Sequence, residues 1–213
     1  MKKRVIIIVI ILAIAIIGGV AIWFLVQEEE PKTVDHNKVN EVYQGIKSNN
    51  CSTALHIEKI QNVSELSDES ISYLVLNEMK KDKLLSDEIS FNDFKKTSKE
   101  VFGEEVVPST MDNYLFDGYE YTLENNTITR TKSECGNIEY VSKLYGYSGT
   151  DDSLEVDLRI GYIENNKVYD MDGKELGDYS KDTLNEMLDN STLQVYKYAR
   201  NGDQFYLEEI GVR

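Results

Sequence analysis

The chain has 213 residues, of which 23 are basic and 38 acidic. Three of the basic and none of the acidic residues precede an uncharged stretch at 5–26, which leaves everything after it at −18. Nucleic-acid phosphates and anionic headgroups repel a surface of that sign, so no nucleic-acid partner is expected.

Met1-Lys2-Lys3-Arg4 is followed by 22 residues, Val5 to Val26, without a charge, and then by Gln27-Glu28-Glu29-Glu30. At ~1.5 Å per residue a helix of this length reaches ~33 Å, enough for a hydrocarbon core of ~30 Å. The positive flank is expected to stay inside, which exports the rest. The organisation predicted is a cytoplasmic tail at 1–4, a transmembrane signal-anchor in the lipid bilayer at 5–26, a tether at 27–35, and an extracytoplasmic domain at 36–213. Cleavage after Gly19-Val20-Ala21 is the competing reading. Ile22 to Val26 stays apolar beyond that site and Trp23 suits an interfacial anchor, so retention is favoured. Ala15 and Gly19 form a small-xxx-small pair, read as lipid-facing because such pairs are frequent in spans.

About 180 residues remain outside, sufficient for one domain with a core. A composition heavy in Ile, Lys, Asn, Glu and Tyr, with two prolines, reads as bacterial. The Asn-x-Ser/Thr sites at Asn50, Asn62, Asn125 and Asn190 are therefore not expected to carry glycans.

From the tether to Gly103 the periodicity is helical. Val39, Val42, Tyr43 and Ile46 share one face, up to Ser48-Asn49-Asn50. Capping residues Ser67-Asp68-Glu69-Ser70 open a second helix with Ile71, Leu74, Val75 and Met79 on its apolar face. Ser90, with Asp93 three residues on, opens a third that carries Phe94, Val101 and Phe102 and stops at Gly103. Ala54 to Val63 is ambiguous between helix and strand. The lysines at 80, 81, 83, 95, 96 and 99 read as solvated helix faces and ends.

Beyond Pro108 come twelve of the fourteen tyrosines and a series of turn dipeptides. Tyr119, Tyr121 and Leu123 alternate before Asn125-Asn126, with Ile128 after the turn. Leu154 to Tyr162 alternates over nine residues, and Asn165-Asn166 turns the chain into Val168-Tyr169-Asp170. Leu193 to Ala199 and Phe205 to Val212 flank Asn201-Gly202, the strongest hairpin signal. Between Asp170 and Leu193, Ser180 caps a short helix burying Leu184, Met187 and Leu188. The expected fold class is α+β: two or three helices packed on one curved antiparallel β-meander. That order of elements resembles, at the coarsest level, cystatin-like and NTF2-like domains; no motif specific to either is present, and no family is assigned.

Cys51 and Cys135 form an even pair outside the cytoplasm, which favours a disulfide. His36 is in the tether, and His56, with no histidine or cysteine at a ligand spacing, reads as a partly exposed structural histidine, so no metal is expected. Phosphate loops, dinucleotide fingerprints and nucleophile elbows are absent, so no cofactor is expected either. Asp170-Met171-Asp172-Gly173 hints at a calcium loop, but Val168 and Tyr179 stand where end carboxylates are required; a tight turn is the better reading.

The densest aromatic groups are Tyr145-Gly146-Tyr147 and Tyr196-Lys197-Tyr198. Packing is the first use of strand tyrosine, yet Tyr145, Tyr147, Tyr196 and Tyr198 are the candidates for any ligand-binding face. The function expected is non-enzymatic: a membrane-anchored envelope protein that binds or assembles with an envelope protein, peptide or glycan. An envelope polymer-processing hydrolase using paired carboxylates is the rival class, and a structural component is the third.

Overall fold

Side-chain caps begin the three helices described ahead of residue 103. Asp35 accepts the Asn37 amide ahead of α1 (His36–Ile46), Ser67 that of Ser70 ahead of α2 (Asp68–Lys81), and Ser90 those of Asn92 and Asp93 ahead of α3 (Phe91–Phe102). Gly103, at φ 75°, closes α3 in the left-handed region that glycine enters without a Cβ penalty. These elements belong to a computed structural model that describes residues 34–49, 51–52, 60–150 and 152–213. The expected span at 5–26 and His56 lie outside the described residues, and among those described no helix is long and apolar enough to cross a membrane.

The strands form two antiparallel sheets where the hydrophobic pattern predicts one meander. In the small sheet β2 (Glu88–Ser90), β5 (Thr127–Lys132), β4 (Tyr119–Glu124) and β3 (Tyr114–Phe116) stand in that order. β2 precedes α3 in the chain and takes the free edge of β5, so β5 does not pair onward to β6. After the 133–138 connection the chain enters the large sheet. There β7 (Ser153–Glu164) pairs with β6 (Glu139–Gly149) on one edge. Its other edge is divided between β10 (Thr192–Asn201), opposite Ser153 to Ile160, and β8 (Lys167–Asp170), opposite Gly161 to Glu164. β11 (Gln204–Val212) and the two-residue β1 (Gln61–Asn62) extend the sheet beyond β10, and β9 (Glu175–Asp178) extends it beyond β8.

Two turns follow their dipeptides: Asn125-Asn126 and Asn165-Asn166 all have positive φ, as paired left-handed hairpin turns require. The last hairpin is displaced by one residue from expectation. Asn201 pairs with Gln204, so Gly202-Asp203 forms the turn, and a bulge at Lys197/Tyr198 shifts the register by one further residue.

A single core joins both sheets and the helices. α2 lies against α1, α3 and β3, and this enclosure buries Tyr73, Leu76, Ser72 and Asn77 as well as the expected Ile71, Leu74, Val75 and Met79. Periodicity marked one apolar face; packing on several sides uses more of the circumference. The buried polar groups are served across the helix pair: the Tyr73 hydroxyl donates to the Lys47 carbonyl and the Asn77 amide to that of Gln44. The short helix α4 (Leu184–Leu188) sets Leu188 over Gly161 of β7.

Cys51 and Cys135 lie at disulfide distance, Cα atoms 4.9 Å apart. Asn49 organises the first half of the bridge by accepting the amides of Cys51 and Ser52, each at 2.9 Å. The Cys51 sulfur also accepts the Gly118 amide at 2.9 Å, in the β3–β4 turn. One small cluster thus ties the exit of α1, the small sheet and the connection between sheets.

Candidate functional site

Three helices and a hairpin leave a cleft of about 340 Å³. α1 contributes Lys38, Glu41, Val42, Gly45 and Ile46; α2 contributes Leu74, Glu78 and Lys81, with Asp82 capping its C-terminus. Glu100 and Val101 of α3 form a third side, and Tyr198, Asp203, Gln204, Phe205 and Leu207 of the β10–β11 hairpin complete it. Five carboxylates against two lysines make the lining acidic. Both lysines are engaged locally, Lys38 with Glu41 at 3.3 Å and Lys81 with Glu78.

Glu78 is the most enclosed of these acids. Burial raises its carboxyl above the usual range, the Lys81 ammonium draws it back, and the charges of Asp82 and Glu41 raise it further. One oxygen of Glu78 pairs with Lys81, while the other lies where a Cβ on Gly45 would come within 3.0 Å. Glycine on α1 therefore leaves that oxygen space. Nearby, Tyr198 is only 7% exposed, and burial together with the charge of Glu78 pushes its phenol up.

The four tyrosines singled out from sequence do not form one surface. Tyr196 and Tyr198 alternate on β10 and face the core, where the Tyr196 hydroxyl is buried without a hydrogen-bond partner among the described residues. Tyr198 reaches the cleft as well. Tyr145 and Tyr147 are exposed, but the bulge between Leu144 and Gly146 breaks their shared parity. Tyr147 pairs with Val156 and sits beside the His36 ring at 6.0 Å. Tyr145 instead lies under the Arg159 guanidinium at 4.6 Å, and Arg159 projects from the opposite face of β7 to Val156.

A different tyrosine row runs across three strands: Tyr140 of β6, Tyr162 of β7 and Tyr169 of β8, with ring centroids 6.4 and 5.1 Å apart. Half of it was legible, since a two-residue Asn165-Asn166 turn sets Tyr162 opposite Tyr169. The cleft carried no such signal, because its carboxylates come from four elements far apart in sequence.

Other charged features are accounted for locally. Lys80 pairs with Asp117, Lys96 with Glu100, and Lys95 and Lys99 both with Glu105, whose carboxyl they hold below the usual range. At the Asp-Gly segment, one Asp170 oxygen accepts the amides of Asp172 and Lys174, and Gly173 takes φ 83°, the geometry of a tight turn. No protein-family profile, curated protein or solved structure matches this chain.

Proposed function

We propose that this protein is a single-pass, membrane-anchored, extracytoplasmic module of a bacterial envelope whose work is binding or assembly rather than catalysis. The anchor reading rests on the uncharged run at 5–26 and its positive flank. Binding rests on one observation, the cleft between α1, α2, α3 and the β10–β11 hairpin, with apolar walls and a few convergent polar groups. The finer architecture belongs to the same proposal: helices over a curved large sheet, in the coarse manner of cystatin-like and NTF2-like domains, with the small sheet added.

Full-length protein in native membranes tests the first half. Alkaline extraction should leave it in the membrane fraction, and protease added outside should remove its C-terminal half; survival of that half despite proven access sinks the topology. For the second half, material retained from envelope extracts by the wild-type protein should be lost when Gly45→Leu fills the cleft. Equal retention by the two forms would remove the cleft from the function.

A hydrolase reading has one observation in its favour, the raised carboxyl of Glu78 among neighbouring acids. It predicts soluble fragments released from cell-wall polymer by the wild type and none by Glu78→Gln. Against it, Glu78 is already committed to Lys81.

A further inference from the structure

We infer that the cleft takes an alkylammonium group, an ammonium carried on an unbranched aliphatic stem such as a lysine side chain or a small free amine. This names the ligand class for the binding reading above and rests on it. The polar chemistry of the lining is dominated by acceptors. Glu41, Glu78, Asp82, Glu100 and Asp203 outnumber Lys38 and Lys81, and each lysine is already held by a carboxylate of the same lining. An anionic ligand meets repulsion there, whereas a donor meets an excess of acceptors, of which Glu100 and Asp203 also pair with Lys96 and Arg200 from outside the lining.

The floor supplies the second observation. Tyr198 is more than nine-tenths buried, lines the cleft, and its hydroxyl makes no hydrogen bond to a described residue. A buried phenol ordinarily finds a partner, and a group that enters the cleft can supply one. Glu78 presents its second oxygen to the same space, which Gly45 keeps open.

Shape selects ammonium over guanidinium. A guanidinium is a planar fork that matches two coplanar oxygens, and Lys81 has taken one oxygen of Glu78. At Glu78 and Tyr198 there remain one carboxylate oxygen and one hydroxyl, single acceptors that suit a compact ammonium with three rotatable donors. Val42, Leu74, Val101, Phe205 and Leu207 offer apolar contact to methylenes. A space of about 340 Å³ is at the small end of ligand sites, the scale of one side chain rather than a folded partner.

The test uses the full chain in lipid nanodiscs and equilibrium titration with three probes: Nα-acetyl-lysine N-methylamide, its norleucine counterpart with the same stem and no charge, and n-butylamine. The lysine probe should bind and the norleucine probe should not. Comparable binding of butylamine assigns the source to free amines; binding of the lysine probe alone assigns it to peptide lysine. Glu78→Gln should weaken binding about tenfold or more, and Tyr198→Phe several-fold, with unchanged circular dichroism in both. Equal binding of lysine and norleucine probes overturns the inference, as does binding indifferent to both substitutions. If no amine binds while a neutral or anionic ligand does, and Gly45→Leu blocks it, the ligand class is wrong and the binding reading survives. If nothing enters the cleft, both fall.

Discussion

Reducing the Cys51–Cys135 bridge should lower stability by a large fraction of the total. The cysteines are 84 positions apart, and closing a loop of that length is worth about 4–5 kcal/mol in the chain-entropy model. Domains commonly have ~5–15 kcal/mol in all, so the loss is far from marginal. With a urea dependence of ~2 kcal/mol per molar, the unfolding midpoint should fall by about 2 M on reduction. Cys51→Ala/Cys135→Ala should do slightly worse than reduction, because it also removes the sulfur that accepts the Gly118 amide. Amide exchange should rise first in β3 and β4, whose turn that sulfur holds, and only later in β7, which is paired along both edges. The assay is urea unfolding with and without reductant, followed by exchange in native buffer. A midpoint shift below about 0.5 M would refute the reasoning, since the closed loop would then add little against the unfolded chain.

At Asp68 the carboxylate accepts the amides and hydroxyls of Ser109 and Thr110, at 2.5 to 3.3 Å, and these bonds hold its carboxyl below the usual range. A depressed folded pKa stabilises above the ordinary carboxylate range and is lost as pH falls through it towards the folded value. Asp68→Asn should therefore cost about 1 kcal/mol at neutral pH, held that low by solvent screening, and flatten the acid limb of the stability curve. Gly161→Ala should cost about 1–3 kcal/mol in thermal unfolding, because the new Cβ would lie 2.5 Å from the Tyr169 carbonyl oxygen and 3.2 Å from Leu188. Gly45→Ala should stay within about 0.5 kcal/mol of wild type: its Cβ meets only the flexible end of Glu78 at 3.0 Å, and alanine improves the helix. A fall as large as that of Gly161→Ala would mean Glu78 is rigidly held.

Short-range signals carried much of the fold. Ser67, Ser90 and Gly103 bound their helices because a cap needs only the next three or four residues. Asn165-Asn166 placed Tyr162 opposite Tyr169 because a two-residue turn dictates register. The alternation from Leu154 to Tyr162 was likewise sufficient to mark an inner face, which the structure buries at Leu154, Val156, Leu158 and Ile160. Asn201-Gly202 misplaced its turn by one residue, since the ladder runs on through Asn201, which pairs with Gln204.

What the chain settled by itself is local: where helices start and stop, which strands alternate, and that the segment after residue 26 is acidic. Only the tertiary structure decided that β2 would take the edge of β5 and divide one meander into two sheets. It also decided that a bulge would send Tyr145 and Tyr147 to opposite faces, and that Tyr198 would meet Glu78 and Gly45 in one cleft. Caps and turns are satisfied by neighbours in sequence, whereas sheet edges, bulges and clefts depend on which distant segments exclude water together.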